Sequence, residues 1–422
     1  MKGEVIECET DSYAPGFTSF IPRLSAFPRV PLPVPYWNGE TYQSILQCLI
    51  SGRVIDGPQV GILRAQIVET HGVADALLCG SGSLALELAL RACDVHEGDE
   101  VVLPAFCCTS VVPPILSVGA TPVLADIGPD LNITAATVEA ALTQKTKAVI
   151  VPHLFGNPAE IDGIVEFVRG KNIRVIDDAA QALGATLDGQ RVGSFGDVGV
   201  LSFGAEKVCF GLGGGVVVSR DGEIAAKLFP TALSPVALAP AIAKLSSTIF
   251  WRRLRRWTSP LSSLSPAKSV TPDAVPARYR REAMSNLSAA VARSLVQTLD
   301  ENISARQARV EAYRQLLKDC PHLQLIPHRA GSACLTQVIR ILPRRRGEDL
   351  ASRVIDRLGA DGYEVRGSYV PIHLLTNFAQ CVWDRLPHAE KVWGDLVELP
   401  CEPAVSLDHI RRIASLVVKY LS

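Results

Sequence analysis

Between Val175 and Ser219 the sequence sets an acid, a hydroxyl and an amine at the ends of short apolar runs. Ile173–Ile176 ends in Asp177-Asp178, a second apolar run ends in Ser202-Phe203, and Lys207 follows that serine by five residues. Gly211 to Gly215 then place four glycines in five positions ahead of three consecutive valines. A lysine amine can condense with a carbonyl, a carboxylate can keep a pyridine nitrogen protonated, and a hydroxyl can bind phosphate. Together these are what a protein must supply to pyridoxal 5'-phosphate (PLP), and Lys207 is the expected point of attachment. Taken singly, Lys207 reads equally as a solvated loop lysine and Asp178 as a helix N-cap; their joint arrangement favours the cradle.

The elements that would position these groups alternate. Ala76–Cys79 reads as a strand, Gly80-Ser81-Gly82-Ser83 as a turn and Leu84–Cys93 as a helix. Free backbone N–H groups at Gly82, Ser83 and Leu84, with the positive end of the helix dipole, make an anion site. Plain N-capping by Ser81 or Ser83 explains the same turn, and the Lys207 region tips the reading towards phosphate. Strands at 100–103, 122–126, 148–151 and 174–176 alternate with helices at 111–118, 138–142 and 161–169, the pattern of βαβ units in a mostly parallel sheet. In such sheets ligands gather beyond the carboxyl ends of the strands. Ser83, Asp126, His153, Asp178 and Ser202 all fall at or just past such ends.

Composition sets broad bounds. The 422 residues suffice for two or three domains, and 42 basic against 43 acidic residues give no global charge for nucleic acid. Eleven cysteines show no C-x-x-C pair and no metal spacing, as expected for reduced thiols and no metal site. The polar N-terminus lacks an apolar signal core and no stretch is long enough to span a bilayer, so a cytoplasmic location is expected. Residues 1–38, with six prolines, read as an irregular arm. A large cofactor-binding α/β domain is expected over 39–285, and linking helices with a smaller α+β domain over 286–422. Within the large domain, 229–276 is a proline-, serine- and arginine-rich insertion holding seven prolines and the segment FWRRLRRW (250–257). That segment reads either as an interfacial helix making weak peripheral membrane contact or as a helix over the active-site entrance.

Ordered blocks now reach a family. SGRVIDGP (51–58), SGSLALELAL (81–90), GDEVVLPAF (98–106), GATPVLADI (119–127), VPHLFGNPAEID (151–162), VIDDAAQALGA (175–185), VGSFGDVGVLSF (192–203), GGVVVS (214–219), MSNLSAA (284–290), Tyr369-x-Pro371-x-His373 and LPHAE (386–390) resemble the DegT/StrS-type sugar aminotransferases. The resemblance runs from about Tyr36 to the C-terminus. It implies PLP-dependent transferase fold type I and a homodimer with interfacial active sites. It also implies amination of a keto sugar, mostly nucleotide-linked, with glutamate or glutamine as donor. By it Lys207 is the Schiff-base lysine, Asp178 pairs with the ring nitrogen, Gln181 lies near the ring hydroxyl, and Ser202 with Ser83 and neighbouring backbone holds the phosphate. A cyclitol aminotransferase and a non-catalytic PLP-fold regulator are the alternatives.

Several positions depart from the family pattern. Ser83 replaces the threonine of Ser-Gly-Thr but keeps the hydroxyl. Cys108 stands where an aromatic ring usually stacks on the cofactor, with Phe106 or a sulfur–aromatic contact as substitutes. Arg281 occupies the register of an asparagine that reaches the neighbouring subunit's phosphate, and a charged contact across the dimer is expected of it. Gly213 replaces a glutamate, which predicts a looser loop. Retention of Lys207, where a dehydratase relative carries histidine, points to transamination. Glu206, where cysteine desulfurases carry histidine, points away from that class. His373, Tyr369 and His153 are the candidate substrate contacts, and the Cys107-Cys108 pair reads as small residues lining a pocket.

Overall fold

The computed structural model describes residues 30, 35–228, 231–251, 279–345 and 347–422. It opens with α1 (Gly39–Ile50), capped by the Asn38 side chain accepting from Thr41 N, and α2 (Gln59–His71), ended by Gly72 at φ 58°. Strand β1 (Asp75–Cys79) then turns through Gly80 into α3 (Gly82–Ala92), whose N-cap Ser81 accepts from Leu84 N. The alternation continues through β2 (Glu100–Pro104), α4 (Val112–Ser117), β3 (Thr121–Ala125), α5 (Ala135–Ala141), β4 (Thr146–Pro152), α6 (Ile161–Val168) and β5 (Arg174–Asp178). A hairpin of β6 (Thr186–Leu187) and β7 (Gln190–Arg191) precedes β8 (Val198–Ser202), β9 (Gly215–Ser219) and α7 (Gly222–Leu228).

These strands form a seven-stranded sheet in the order β1-β9-β8-β5-β4-β2-β3. All its pairings from β3 across to β8 are parallel; helices α4, α5 and α6 make the crossovers from β2 to β5, and the long stretch 179–197 with its β6/β7 hairpin makes the one from β5 to β8. Strand β9 runs antiparallel to both neighbours; loop 203–214 returns to β8 without a helix. Strands β4, β5, β8 and β9 are buried on both faces, which is why they read as unbroken Val/Ile/Leu runs rather than alternating ones. Their carboxyl ends fall side by side: Pro152 pairs with Asp178, and Asp178 with Val200.

The second half follows α8 (Leu238–Ser246) with α9 (Asn286–Gln297), capped by Ser285, and the long α10 (Leu299–Leu317). Beyond them come β10 (Leu323–Leu325), β11 (Thr336–Ile341), α11 (Leu350–Ala360), β12 (Arg366–Gly367), α12 (Pro387–Val392), β13 (Leu396–Pro400) and α13 (Leu407–Leu421). An antiparallel sheet in the order β10-β11-β13-β12 packs its own core, including Tyr313, Ile339, Val354, Leu358, Ile410 and Val417, under α10, α11 and α13. Tyr363 makes only a bridge to Val30, and the pairing of β12 begins at Arg366 opposite Glu398. A two-residue strand is too short to show a period of two, so periodicity could not locate it. The segment after β12 straps the small sheet to the large one, with Ile372 N donating to Ala105 O at 2.8 Å.

Candidate active site

Two adjacent acids at the end of β5 point to opposite faces, as successive strand residues must. Asp178 lines a cavity of about 150 Å³ together with Gly82, Ser83, Cys108, Gln181, Ser202 and Lys207. Its Oδ1 accepts from Ala180 N at 3.0 Å. Burial raises its carboxyl above the usual range, opposed by the Ala180 N–H and by the charge of Lys207. An acid so placed costs free energy until a cation meets it.

Asp177 faces away from the cavity. Its Oδ2 accepts from Phe195 N at 2.8 Å and its Oδ1 lies 2.6 Å from Nε2 of His153. His153 Nδ1 accepts from Ala159 N at 2.9 Å, so the proton sits on Nε2 and is donated to Asp177. His153 has no exposed surface and lines neither cavity described here. It buttresses the end of β5 and is not brought to the cavities where substrate is expected. Asp126, another strand-end residue, caps α12 by accepting from His388 N and Ala389 N at 2.9 and 2.8 Å.

The anion site forms where α3 begins under the end of β8. A Cβ on Gly82 would come within 3.1 Å of Ser202 Oγ, so any side chain there would push the hydroxyl aside by a few tenths of an ångström. Ser202 Oγ accepts from Gly204 N at 3.3 Å, and Ser83 Oγ donates to Ser110 O at 3.4 Å. Leu84 does not take part: its N–H is spent on Ser81 Oγ at 3.2 Å and its side chain is fully buried in the core. Gly82 and Ser83 thus keep the backbone donors at the mouth of the site. The cradle fits a phosphate-bearing pyridine: donors at one end, the Asp178 carboxylate at another, and an amine from Lys207 at the rim.

Lys207 stands in the loop between β8 and β9, directly after Glu206, which adopts the left-handed φ of 67°. It lines both the smaller cavity and a larger one of about 440 Å³ that leads to the small sheet. Gly213 at φ 87° and Gly214 at φ 121° lie on the same loop. A Cβ on Gly213 would fall 2.0 Å from Nζ of Lys244, so the room of the family's glutamate is filled by a lysine from α8. Burial pulls the Lys244 ammonium below its usual range, opposed by Glu282.

Cys108 lines both cavities, with Sγ 3.0 Å from Ser110 Oγ. Phe106 does not substitute for the missing ring: it is fully buried, edge-on to Tyr369 at 5.8 Å, and lines neither cavity. Tyr369 lines the larger cavity, stacks on Phe155 at 5.8 Å and accepts from Gln181 Nε2 at 3.0 Å. Gln181 Oε1 in turn accepts from Phe155 N at 3.0 Å, which orients the amide. His373 lies elsewhere, its Nε2 3.1 Å from Glu390 Oε1 and its ring 5.6 Å from Trp383, and it lines neither cavity. Only the tyrosine of that motif reaches the site. Arg281 hydrogen-bonds Glu87 of α3 within its own chain; Glu87, with 4% of its side chain exposed, also accepts from Tyr279 and Arg91.

Residues not anticipated from sequence also line the larger cavity: Phe155, Arg306, Arg366, Ser368, Glu398 and Glu402. All but Phe155 come from α10 and from the small sheet and the residues just after its strands, about a hundred positions or more from Lys207, where no local signal marks them as site residues. Residues 252–257 of FWRRLRRW lie outside the described residues. Among the described residues no helix is long and apolar enough to cross a membrane.

Residues 35–418 match the DegT/DnrJ/EryC1/StrS aminotransferase family. The chain is 30% identical over 395 residues to GDP-perosamine synthase from Caulobacter vibrioides, covering 92% of this chain and 98% of that one. It is 43% identical over 185 residues to UDP-N-acetyl-3-dehydro-alpha-D-glucosamine 3-aminotransferase from Acidithiobacillus ferrooxidans, covering 42% of this chain and 50% of that one. Among solved structures, the aminotransferase TlmJ from Streptoalloteichus hindustanus superposes with a TM-score of 0.74 at 26% identity, covering 93% and 99% of the two chains. The chain thus belongs to the DegT/DnrJ/EryC1/StrS aminotransferase family and is a pyridoxal-phosphate-dependent aminotransferase.

Proposed function

We propose that this enzyme transfers an amino group from an amino acid to a keto sugar carried on a nucleotide. The observation that carries the reading is the pair of adjoining cavities meeting at Lys207. One is shaped for the cofactor, the other is large enough for the reacting end of a sugar. The relatives named for GDP- and UDP-linked sugars support the nucleotide.

Residue roles follow from position. Asp178 would pair with the pyridine nitrogen, Gly82, Ser83 and Ser202 would hold the phosphate, and Cys108 with Gln181 would flank the ring. When bound, the cofactor supplies an electron sink for the carbon that gains or loses the amino group. Lys207 Nζ would anchor it, and the same amine is placed to hold and move a proton at that carbon. Tyr369 and Phe155 shape the wall and keep water from it.

The homodimer and a cytoplasmic location belong to the same proposal. Leu46, Leu49 and Ile50 of α1 and Ile62 of α2 are exposed apolar side chains suited to a second copy. Ten described cysteines are free thiols, as in a reducing compartment. A contact from Arg281 to the phosphate across the dimer would require it to leave Glu87 or to share it.

The test is a spectral titration. The purified enzyme should show the visible band of lysine-bound cofactor, lost in Lys207→Ala. An amino acid should convert it to the amine form, and a keto sugar on GDP, UDP or dTDP should convert it back. Return of the band only with a cyclitol ketone would overturn the sugar assignment. A bound cofactor inert to every donor would overturn catalysis.

A further inference from the structure

The larger cavity ends in a wall whose polar groups the proposed chemistry leaves unused. Glu402 and Ser368 are each only 6% exposed, both line the cavity, and Glu402 Oε2 and Ser368 Oγ have no hydrogen-bond partner. Buried polar atoms without partners are costly, about 1–3 kcal/mol each, and a native chain keeps them where a ligand completes them. Beside them stand two arginines already engaged. Arg366 donates from Nε to Glu398 Oε2 at 2.9 Å and from Nη1 to Glu206 Oε2 at 3.0 Å. Arg306, itself 2% exposed, donates to Asn302 Oδ1 at 2.8 Å and to the carbonyls of Cys334 and Leu335 at 3.4 and 3.0 Å.

We infer that this wall seats the side chain of the amino donor and selects a carboxamide over a carboxylate, glutamine over glutamate. The inference rests on the aminotransferase reading above. A carboxamide supplies two N–H donors and one acceptor. Its NH₂ would give Glu402 Oε2 the donor it lacks, and its oxygen would accept from the Ser368 hydroxyl. A glutamate side chain would set a carboxylate against Glu402, with no donor for Oε2. Three carboxylates, Glu206, Glu398 and Glu402, stand among the lining residues with Arg306, Arg366 and Lys207; both arginines are already engaged and the lysine would carry the cofactor, so a further negative charge finds no unpaired cation. A site built to hydrogen-bond a neutral group rejects the analogue that leaves its buried atoms unpaired.

The experiment compares the two amino acids on the cofactor-loaded enzyme by the rate of band conversion, in wild type, Glu402→Gln and Ser368→Ala. Binding of each to Lys207→Ala is measured by titration calorimetry, which reads affinity without turnover. Wild type should favour glutamine by roughly tenfold or more in kcat/KM and in affinity. Glu402→Gln, which removes the repelling charge, and Ser368→Ala, which removes the hydroxyl, should each erode that ratio. Equal use of both donors, a preference for glutamate, or a glutamine preference untouched in both variants would overturn the assignment. A ratio unchanged while KM for the sugar nucleotide rises would overturn it in favour of a sugar-hydroxyl subsite. Conversion by other amino acids but by neither of these would overturn the donor assignment alone, whereas no conversion by any amino acid would overturn the aminotransferase reading with it.

Discussion

Glu206 Oε2 accepts from Arg366 Nη1 at 3.0 Å, so the residue immediately before Lys207 is tied to the small sheet. Glu206 holds the left-handed backbone at φ 67°, a conformation costing an ordinary residue about 1–2 kcal/mol. The ion pair reaches across the larger cavity and holds that turn in place. Arg366 then passes the link to Glu398, so the lysine-bearing loop and the small sheet share one chain of charges.

Arg366→Met should destabilise the protein by about 2–3 kcal/mol. Loss of one partner from a fully buried pair costs about 3–5 kcal/mol, but Arg366 keeps 31% of its side chain exposed while Glu398 keeps 4%. Thermal melting would read the loss. Adding Glu398→Gln should recover part of it, because the stranded charge is gone. No recovery would mean that packing of the arginine stem, not charge, sets the cost.

Asp178→Asn should separate stability from function. In the cofactor-free protein burial raises the Asp178 carboxyl. A group raised on folding lends stability below its unfolded value, about 3.9 for aspartate, and withdraws it as pH climbs through the folded value. The cofactor-free wild type should therefore lose melting temperature with rising pH through this group, and the asparagine variant should lose less. Cofactor affinity should fall at least about tenfold, since a partner for a charged ring nitrogen is worth more than about 1.4 kcal/mol.

Gly82→Ala should weaken cofactor binding while the fold survives. The added Cβ would lie 3.1 Å from Ser202 Oγ and crowd the phosphate cradle. Pairing it with Ser202→Gly should relieve the crowding yet forfeit the hydroxyl, so equilibrium dialysis of PLP should show only partial rescue. Full affinity in Gly82→Ala would place the phosphate elsewhere.

His153→Ala should act on stability alone. It strands the buried Asp177 carboxylate and removes the acceptor of Ala159 N, a loss of about 2–3 kcal/mol. KM for the sugar nucleotide should stay unchanged, because the imidazole lines neither cavity. A raised KM with wild-type melting would restore His153 to the substrate site.

The cofactor half of this enzyme was legible in the chain because its parts are local. Asp178, Ser202 and Lys207 each sit within a few residues of a strand end. Gly82 and Ser83 open a helix whose N–H groups exist whatever the rest of the fold does. The alternation of strands and helices fixed which ends face the same way, so these residues had to converge. Strand direction alone could not say which face each side chain takes. Asp177 and Asp178 are neighbours, yet one meets the cavity and the other His153. Nor could spacing say that Tyr369 reaches the cavity while His373, four residues on, turns to Glu390.

The amino-acid sequence by itself thus determined the cofactor and the mostly parallel sheet, and it named Lys207 as the anchor proposed here. The far wall of the larger cavity was decided only by tertiary packing. Arg306, Arg366, Glu398 and Glu402 come from separate stretches of helix and strand, and they face Lys207 because the strap at Ile372 docks the small sheet over the large one. Contacts between such distant stretches leave no local pattern, since the charges that meet there are set by how two layers close and not by their neighbours in the chain.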